Sequence, residues 1–211
     1  MRLGAWVYDE LKAHLLEGHY AAGERLSVEG MRKEFGVSKQ PVMEAMRRLS
    51  SDGLVTITPQ VGCEVSRYSS QEVADFFRMF GGFEATIADV AAERRTEQQL
   101  QELQDVHRRI GELRTLRDAD ERAHSYLVLN RLFHGLIHAM ARSRIMAETS
   151  ERMWDLSDFF INTAAGTFRM DAGLDVRHAD HERILTALAA GDGLTARSEM
   201  AQHILSTVRG D

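Results

Sequence analysis

GVSKQPVMEAMRRL, residues 36–49, places a proline near the front of an otherwise good helical sequence. Proline lacks a backbone N–H, but the N–H groups of a first helical turn have no intrahelical partner. Ser38 is a favoured N-cap residue, so Pro41 marks the start of the helix. The Ser38 hydroxyl is then expected to accept a hydrogen bond from the N–H of Gln40. The stretch predicts a helix from Ser38 to about residue 52, with a sharply defined and exposed amino end.

This helix has one apolar face and one basic face. The residues expected to face the core follow the spacing i, i+3, i+4, i+7 and are Val42, Ala45, Met46 and Leu49. A short helix before it, capped by Ser27 and ended by Gly36, completes a helix-turn-helix. The major groove of DNA admits one helix, whose amino-terminal residues reach the base edges.

Short extended runs follow the helix and predict a wing. LVTIT and CEVS are joined by PQVG and are expected to form a two-stranded hairpin. A further helix is predicted over 3–17, and HYAAGERLS, residues 19–27, is predicted to be a turn. Gly62, at the hairpin tip, lets the backbone approach DNA closely. The residues predicted to contact DNA are Ser38, Lys39, Gln40, Arg47, Arg48 and Gly62.

Charge is unevenly distributed along the chain. The net charge of −6 alone argues against non-specific nucleic-acid binding. Residues 1–67 are nevertheless neutral overall, and residues 32–48 carry a local excess of three positive charges. This pattern favours a basic surface around the Ser38 helix. The alternative is a plain helical bundle with a solvated basic face.

Composition limits the class of protein. The 211 residues are enough for one large or two modest domains, and the 44% hydrophobic content with only 7% aromatics suits a helical protein. One cysteine, Cys63, excludes an internal disulfide and fits a reducing compartment. No apolar run approaches the ~18 residues of a membrane span, and no signal peptide is recognised. We therefore expect a cytoplasmic protein with no membrane partner.

The amino-terminal sequence resembles the winged-helix domain of GntR-family transcription regulators. The matching segments are LLEGHYAAGERL, GVSKQPVMEAMRRLSSDGLV and GCEV, in the family's order over about residues 6–66. The resemblance implies binding to double-stranded operator DNA. Two positions depart from the family pattern, because Lys39 and Met43 stand where arginine is usual. Lysine keeps the charge but not the planar fork, so the operator is expected to differ from the commonest family sites.

The second half of the sequence predicts an all-helical bundle. The predicted helices begin near Ser69 and at residue 96 and then cover 119–142, 144–163, 174–190 and 193–208. We accordingly predict two domains, a winged helix-turn-helix over 1–67 and an all-helical domain over 68–211, and the GntR resemblance implies that the second domain binds an effector and supports dimerisation. Gly81 and Gly82 lie inside the first bundle helix. They favour a close helix–helix contact or a kink over room for a ligand.

The histidines of the second half are its candidate metal ligands. Asn130, His134 and His138 are spaced i, i+4, i+8 and share one helix face. His181 and His203 lie on two later helices. Imidazoles that converge from several helices are how bundles build metal sites. The alternative is that these histidines are surface or packing residues.

This half resembles the FCD ligand-binding domain of the FadR-type GntR subfamily. The matching segments are LNRLFHGLIHAMARS, HERILTALAAGD and ARSEMAQHI, within about residues 70–207. The resemblance implies a divalent metal, such as zinc, nickel or manganese, and a small carboxylate effector that completes its coordination. The ligand positions that it implies are Asn130, His134, His181 and His203. The family usually has aspartate at the first position, so Asn130 is expected to weaken metal affinity.

The same resemblance implies an effector pocket with an unusual lining. The first bundle helix of the family often carries an arginine four residues before the position of Glu84, where this sequence has Phe80. The pocket is therefore expected to be more apolar and less cationic than usual. His138 and His178 are further imidazoles near the same faces, which could join the site or orient a ligand.

Together these features predict an effector-responsive transcription regulator rather than an enzyme. A two-fold homodimer would place two Ser38 helices on a palindromic operator, and repression relieved by the effector is the usual family behaviour. A metalloenzyme using His134, His181 and His203 is disfavoured, because no HExxH or similar base-bearing motif is present. The remaining alternative is a DNA-binding protein with a purely structural helical dimerisation domain and no effector.

Overall fold

The computed structural model describes residues 3–163 and 173–207, and these residues are predominantly helical. They form nine α-helices, one short 3₁₀ helix and a small three-stranded sheet near the amino end. This confirms the predicted mostly α fold, a winged helix-turn-helix followed by a helical bundle. Within the part of the chain that is described, no helix has the length and apolar character to cross a membrane.

The amino-terminal elements occur in the predicted order. The helices are α1 (Leu3–Leu16), α2 (Val28–Phe35) and α3 (Lys39–Ser51), and the strands are β1 (Arg25–Leu26), β2 (Val55–Thr58) and β3 (Gly62–Val65). Gly36 ends α2 in the left-handed conformation, with φ of 65°, which glycine adopts without steric strain. The four predicted core residues of α3 are fully buried, which confirms its apolar face. They pack with α1, whose Val7, Leu11 and Leu15 are also buried.

The wing has one strand more than the sequence predicted. Residues 19–27 were interpreted as a turn, but Arg25 and Leu26 form strand β1, which pairs antiparallel with β3 opposite Glu64 and Cys63. The sheet order is therefore β1-β3-β2. A two-residue strand is too short to show an alternating pattern, and its pairing partner lies far away in sequence.

The later helices match the predicted ranges closely. They are α4 (Ser70–Arg94), α5 (Glu97–Glu112), α6 (Ala119–Ala141), α7 (Arg144–Thr163), α8 (Leu174–Ala190) and α9 (Gly193–Ser206). Local sequence accounts for these limits. Thr96 forms a capping box with Gln99 before α5, and Asp118 caps α6. The predicted end of the last helix at residue 208 lies outside the described residues.

One of the two adjacent glycines in α4, Gly81, lies at a close contact with helix α9. A Cβ built on Gly81 would lie 3.5 Å from the carbonyl oxygen of Ala201 and 3.7 Å from the Cβ of Ile204, both on α9. Gly82 meets nothing within 4 Å. The packing interpretation therefore accounts for Gly81 and leaves Gly82 unexplained.

The chain divides into two compact units. Among the described residues, the first unit contains 3–73 and 152–163, and the second contains 74–151 and 173–207. The later part of α7 thus belongs to the first unit, where Asn162 Nδ2 donates to the carbonyl of Leu16 at 2.5 Å. The boundary predicted between residues 67 and 68 took no account of this later segment.

Candidate DNA-binding surface and three-histidine centre

The amino end of α3 is exposed, and its cap differs from the prediction. Ser38 occupies the N-cap position with extended backbone, but its side chain makes no capping hydrogen bond. The expected bond from the N–H of Gln40 to the Ser38 hydroxyl is therefore wrong. Pro41 at the third position has no N–H to offer, which removes the usual alternative partner for a serine cap. Ser38, Lys39 and Gln40 are all exposed, so the hydroxyl and the first-turn amide can face a ligand.

The two arginines of α3 have different surroundings. Both Arg47 and Arg48 are exposed. The guanidinium carbon of Arg48 lies 3.7 Å from the centroid of the Tyr8 ring, and the Tyr8 hydroxyl donates to Asp52 Oδ2 at 2.7 Å. Arg48 therefore stabilises the packing of α1 on α3 through a cation–π contact, in addition to any contact with DNA.

The wing presents backbone at its tip. Gln60 and Gly62 have positive φ values of 62° and 134°, and Gly62 is exposed with open space where a Cβ would lie. A side chain at Gly62 would strain this conformation, because L residues rarely adopt it. Val61 is 66% exposed beside it. The hairpin tip can therefore approach a flat or grooved partner closely.

Three buried histidines from three helices meet in the second unit. They are His134 on α6, His181 on α8 and His203 on α9, and each offers a ring nitrogen within 4.8 Å of the other two. The Nε2 atoms of His181 and His203 are 3.3 Å apart. All three side chains are at most 2% exposed. We call this cluster the three-histidine centre.

Burial and neighbouring charges lower the pKa of the imidazoles in the three-histidine centre. Burial is the main cause of a pKa well below the ordinary value for His134 and His181, and the neighbouring histidines and arginines lower it further. The pKa of His203 is also lowered by burial, although Asp180 opposes the shift. Neutral imidazoles present the lone pairs that a metal ligand requires.

Asp180 orients one of these imidazoles, and the sequence analysis missed it. This carboxylate is 6% exposed, and its Oδ2 lies 3.3 Å from His203 Nδ1. A proton donated from Nδ1 to Asp180 leaves the lone pair of His203 on Nε2, the atom that faces His181. Arg183 donates to the other carboxylate oxygen of Asp180 and, at 2.8 Å, to Glu199. The adjacent pair Asp180-His181 was the available sequence signal.

Asn130 is buried on α6, one turn before His134. Its Oδ1 accepts a hydrogen bond from the hydroxyl of Tyr126 at 3.2 Å. The amide oxygen that the family resemblance assigns to the metal therefore already has one partner. A carbonyl oxygen has two lone pairs, so this bond leaves one for coordination.

Two of the four predicted effector-pocket residues contact each other beside His134. Glu84 is fully buried and lies 2.9 Å from His138 Nε2 and 3.8 Å from His134 Nδ1. Ser150 donates to its other carboxylate oxygen. Phe80, one turn earlier on α4, is buried and stacks on Phe76.

His178 has a different neighbourhood. Its ring stacks on His107 of α5 with 4.0 Å between centroids, and its Nε2 would lie 2.8 Å from a Cβ built on Gly111. His107 in turn lies 2.5 Å from Glu182 Oε2. The contacts described for His178 therefore lead to α5 and not to the three-histidine centre.

The donor set of the three-histidine centre fits a divalent transition metal. Zinc binds imidazole nitrogen at about 2.0–2.1 Å, so two nitrogens of one tetrahedral site lie about 3.3 Å apart. The His181–His203 separation matches this edge. Nitrogen ligands with open positions can bind a metal and a further anionic group.

Comparison with known proteins gives the same two-part organisation. Residues 3–65 match the family described as "Bacterial regulatory proteins, gntR family", and residues 75–206 match the FCD domain. The first is a family of regulatory proteins, which confirms the expectation that this chain is not an enzyme.

Individual relatives are similar along nearly the whole chain. The HTH-type transcriptional repressor GlaR of Escherichia coli is 24% identical over 95% of this chain and 92% of its own length. The repressor RspR of the same organism is 28% identical over 94% of this chain and 84% of its own length. The solved structure of E. coli McbR/YncC shares the fold, with a TM-score of 0.80 over 98% of this chain and 95% of that one, at 24% identity. The chain therefore belongs to the GntR family of DNA-binding transcription regulators and carries an FCD domain after its winged helix-turn-helix.

Proposed function

We propose that this chain is an effector-responsive repressor that releases its operator when a small carboxylate binds, together with a divalent metal, in the second unit. The observation that carries the proposal is the three-histidine centre, with neutral, buried imidazoles on α6, α8 and α9. The names of GlaR and RspR describe those proteins as repressors, which supports the direction of control.

On the DNA side, we assign contacts to the amino end of α3 and to the wing. Ser38, Lys39 and Gln40 would approach base edges and phosphates, and Gly62 would bring backbone close to the duplex. Arg47 and Arg48 would contact the operator from the next turns of α3. A homodimer would place two such surfaces on the half-sites of a palindrome.

On the effector side, we assign the metal to His134, His181 and His203, with the Asn130 amide oxygen as a fourth, neutral ligand. The metal would supply a positive charge and open positions for a carboxylate. Four neutral ligands leave the +2 charge of zinc, nickel or manganese uncompensated in the first coordination shell. The buried carboxylates of Glu84 and Asp180 lie just outside that shell, each next to one of the histidines.

The pocket beside the metal would be lined by Phe80, Glu84 and His138, as the family resemblance implies, whereas His178 stacks on His107 of α5 and is left out of it. Glu84 and His138 are already hydrogen bonded to each other next to His134. Regulation further requires that the effector bind the DNA-competent and DNA-incompetent states with different affinity, since equal affinity shifts no equilibrium.

The test of this function is operator binding by the full chain in metal-loaded and chelator-treated forms. DNA fragments selected from genomic DNA would serve as probes in a fluorescence anisotropy titration. We expect tight binding without effector and weaker binding when a carboxylate is added to the metal-loaded protein only. If no metal and no carboxylate changes the operator affinity, the second unit is instead a purely structural bundle.

The contact between Asp180 and His203 leads to a separate prediction. Asp180→Asn should lower metal affinity about tenfold to hundredfold, because it removes the carboxylate that orients His203 and favours its Nε2 lone pair. Competition with a chromophoric chelator measures this affinity. The matched control is Asp105→Asn on α5, whose side chain is 72% exposed. Equal affinity in wild type and Asp180→Asn would show that the carboxylate does not support the metal.

A further inference from the structure

Arg177 on α8 adds positive charge beside the three-histidine centre. Arg177 lies one turn before His181, so the two side chains share a helix face. Its guanidinium donates to Thr207 Oγ1 at 3.4 Å, and its proximity opposes the rise that burial causes in the pKa of the Tyr126 hydroxyl. Tyr126 donates to Asn130 at 3.2 Å. Arg177 therefore lies near the hydroxyl that is bonded to the residue assigned as the fourth metal ligand.

The positive charge of Arg177 acts on the whole centre. After the larger effect of burial, it contributes to the low pKa of His134, His181 and His203. Burial raises the pKa of Tyr126 to about 12, and Arg177 opposes this shift. An anion bound at the three-histidine centre would therefore be attracted by the positive charge of Arg177.

The nearby buried carboxylates already have partners of their own. Glu84 pairs with His138, and Asp180 pairs with His203 and Arg183. Within residues 3–163 and 173–207, no carboxylate lies in ion-pair distance of Arg177, which donates there to the neutral hydroxyl of Thr207. A half-buried guanidinium with a neutral partner retains the capacity to bind a carboxylate through two parallel hydrogen bonds.

We propose that Arg177 binds the carboxylate of the effector, a small anion held between the three-histidine centre and the guanidinium of Arg177. The inference rests on the effector site proposed above and adds the residue that recognises the anion. It also changes the expectation from sequence. On α4, Phe80 stands where the family often has an arginine, so that positive charge is missing. On α8, Arg177 supplies a positive charge, so the pocket favours anionic ligands.

The test uses full-length protein loaded with cobalt, whose visible absorption reports changes at the coordinated metal. Lactate, succinate and citrate are titrated separately, and lactamide serves as the uncharged control. We expect at least one carboxylate to bind the wild type. Arg177→Gln should weaken that binding about tenfold to hundredfold, the usual range for a hydrogen bond to a charged group, with unchanged cobalt content.

Two further variants separate recognition from folding. Arg177→Lys keeps the charge but not the planar fork, so carboxylate affinity should fall while cobalt affinity stays at the wild-type value. Arg108→Gln removes an exposed arginine on α5, whose side chain is 61% exposed, and should change neither affinity.

The outcomes distinguish the inference from the proposed function. Wild-type carboxylate affinity in Arg177→Gln overturns the inference and leaves the effector site intact. Loss of cobalt in both Arg177 variants shows that Arg177 is a structural residue and also overturns it. If no carboxylate binds the cobalt-loaded wild type, the carboxylate effector itself is wrong and the inference falls with it.

Discussion

His203→Ala is expected to abolish high-affinity metal binding by the second unit. His203 is 2% exposed, faces His181 at 3.3 Å and is oriented by Asp180. Loss of a residue that merely orients a ligand costs about tenfold to hundredfold in metal affinity, so loss of the ligand itself should exceed about a hundredfold. Elemental analysis after dialysis should find metal in the wild type and none in the variant.

The control for His203→Ala is a buried histidine outside the centre. His107 on α5 is 7% exposed and pairs with Glu182. His107→Ala creates a comparable loss of buried imidazole, so it controls for destabilisation and should retain the metal. Operator binding by the metal-free His203→Ala protein should match that of chelator-treated wild type. Retention of metal by His203→Ala would contradict the assignment.

Arg47→Ala is expected to weaken operator binding by about 1–3 kcal/mol without changing thermal stability. Arg47 is exposed on α3, and substitutions at exposed positions away from packing contacts usually change stability by less than about 0.5 kcal/mol. A salt titration distinguishes the kind of contact. A phosphate contact reduces the salt dependence of binding, whereas a base contact relaxes the preference for one operator sequence.

Arg48→Ala provides the matched comparison on the same helix. Its guanidinium covers the Tyr8 ring, so truncation removes a cation–π contact worth about 0.5–1 kcal/mol at an exposed site. Arg48→Ala should therefore lower the melting temperature as well as operator affinity. Arg144→Ala, in the second unit with a side chain 90% exposed, controls for the loss of one positive charge. If Arg47→Ala binds the operator with wild-type affinity, Arg47 does not contact DNA.

Features with a local signal follow directly from the sequence. The apolar face of α3, the limits of α5 and α6 and the exposed amino end at Ser38 all follow from spacing and capping within a few turns. Features that need a distant partner do not follow from local sequence. Strand β1 forms because β3 offers an unpaired edge about 40 residues later, and a two-residue strand has no period of its own.

The candidate metal site divides in the same way. Helical spacing placed Asn130 and His134 on one face, and the family resemblance implied His181 and His203. Asp180 was not identified although it adjoins His181, and Arg177 was not identified because helical spacing does not show which neighbouring helix a side chain on α8 will face. His178 was grouped with the centre, whereas the structure stacks it on His107.

The sequence by itself determined the family, the helices and which histidines were expected to converge, because each depends on residues close together in the chain or on a recognisable motif. Only the tertiary structure decided which polar side chains surround those donors, how Arg48 packs on Tyr8 and which unit includes the later part of α7. The physical reason is that periodicity specifies which face of a helix is buried, while the packing of separate helices specifies what that face contacts.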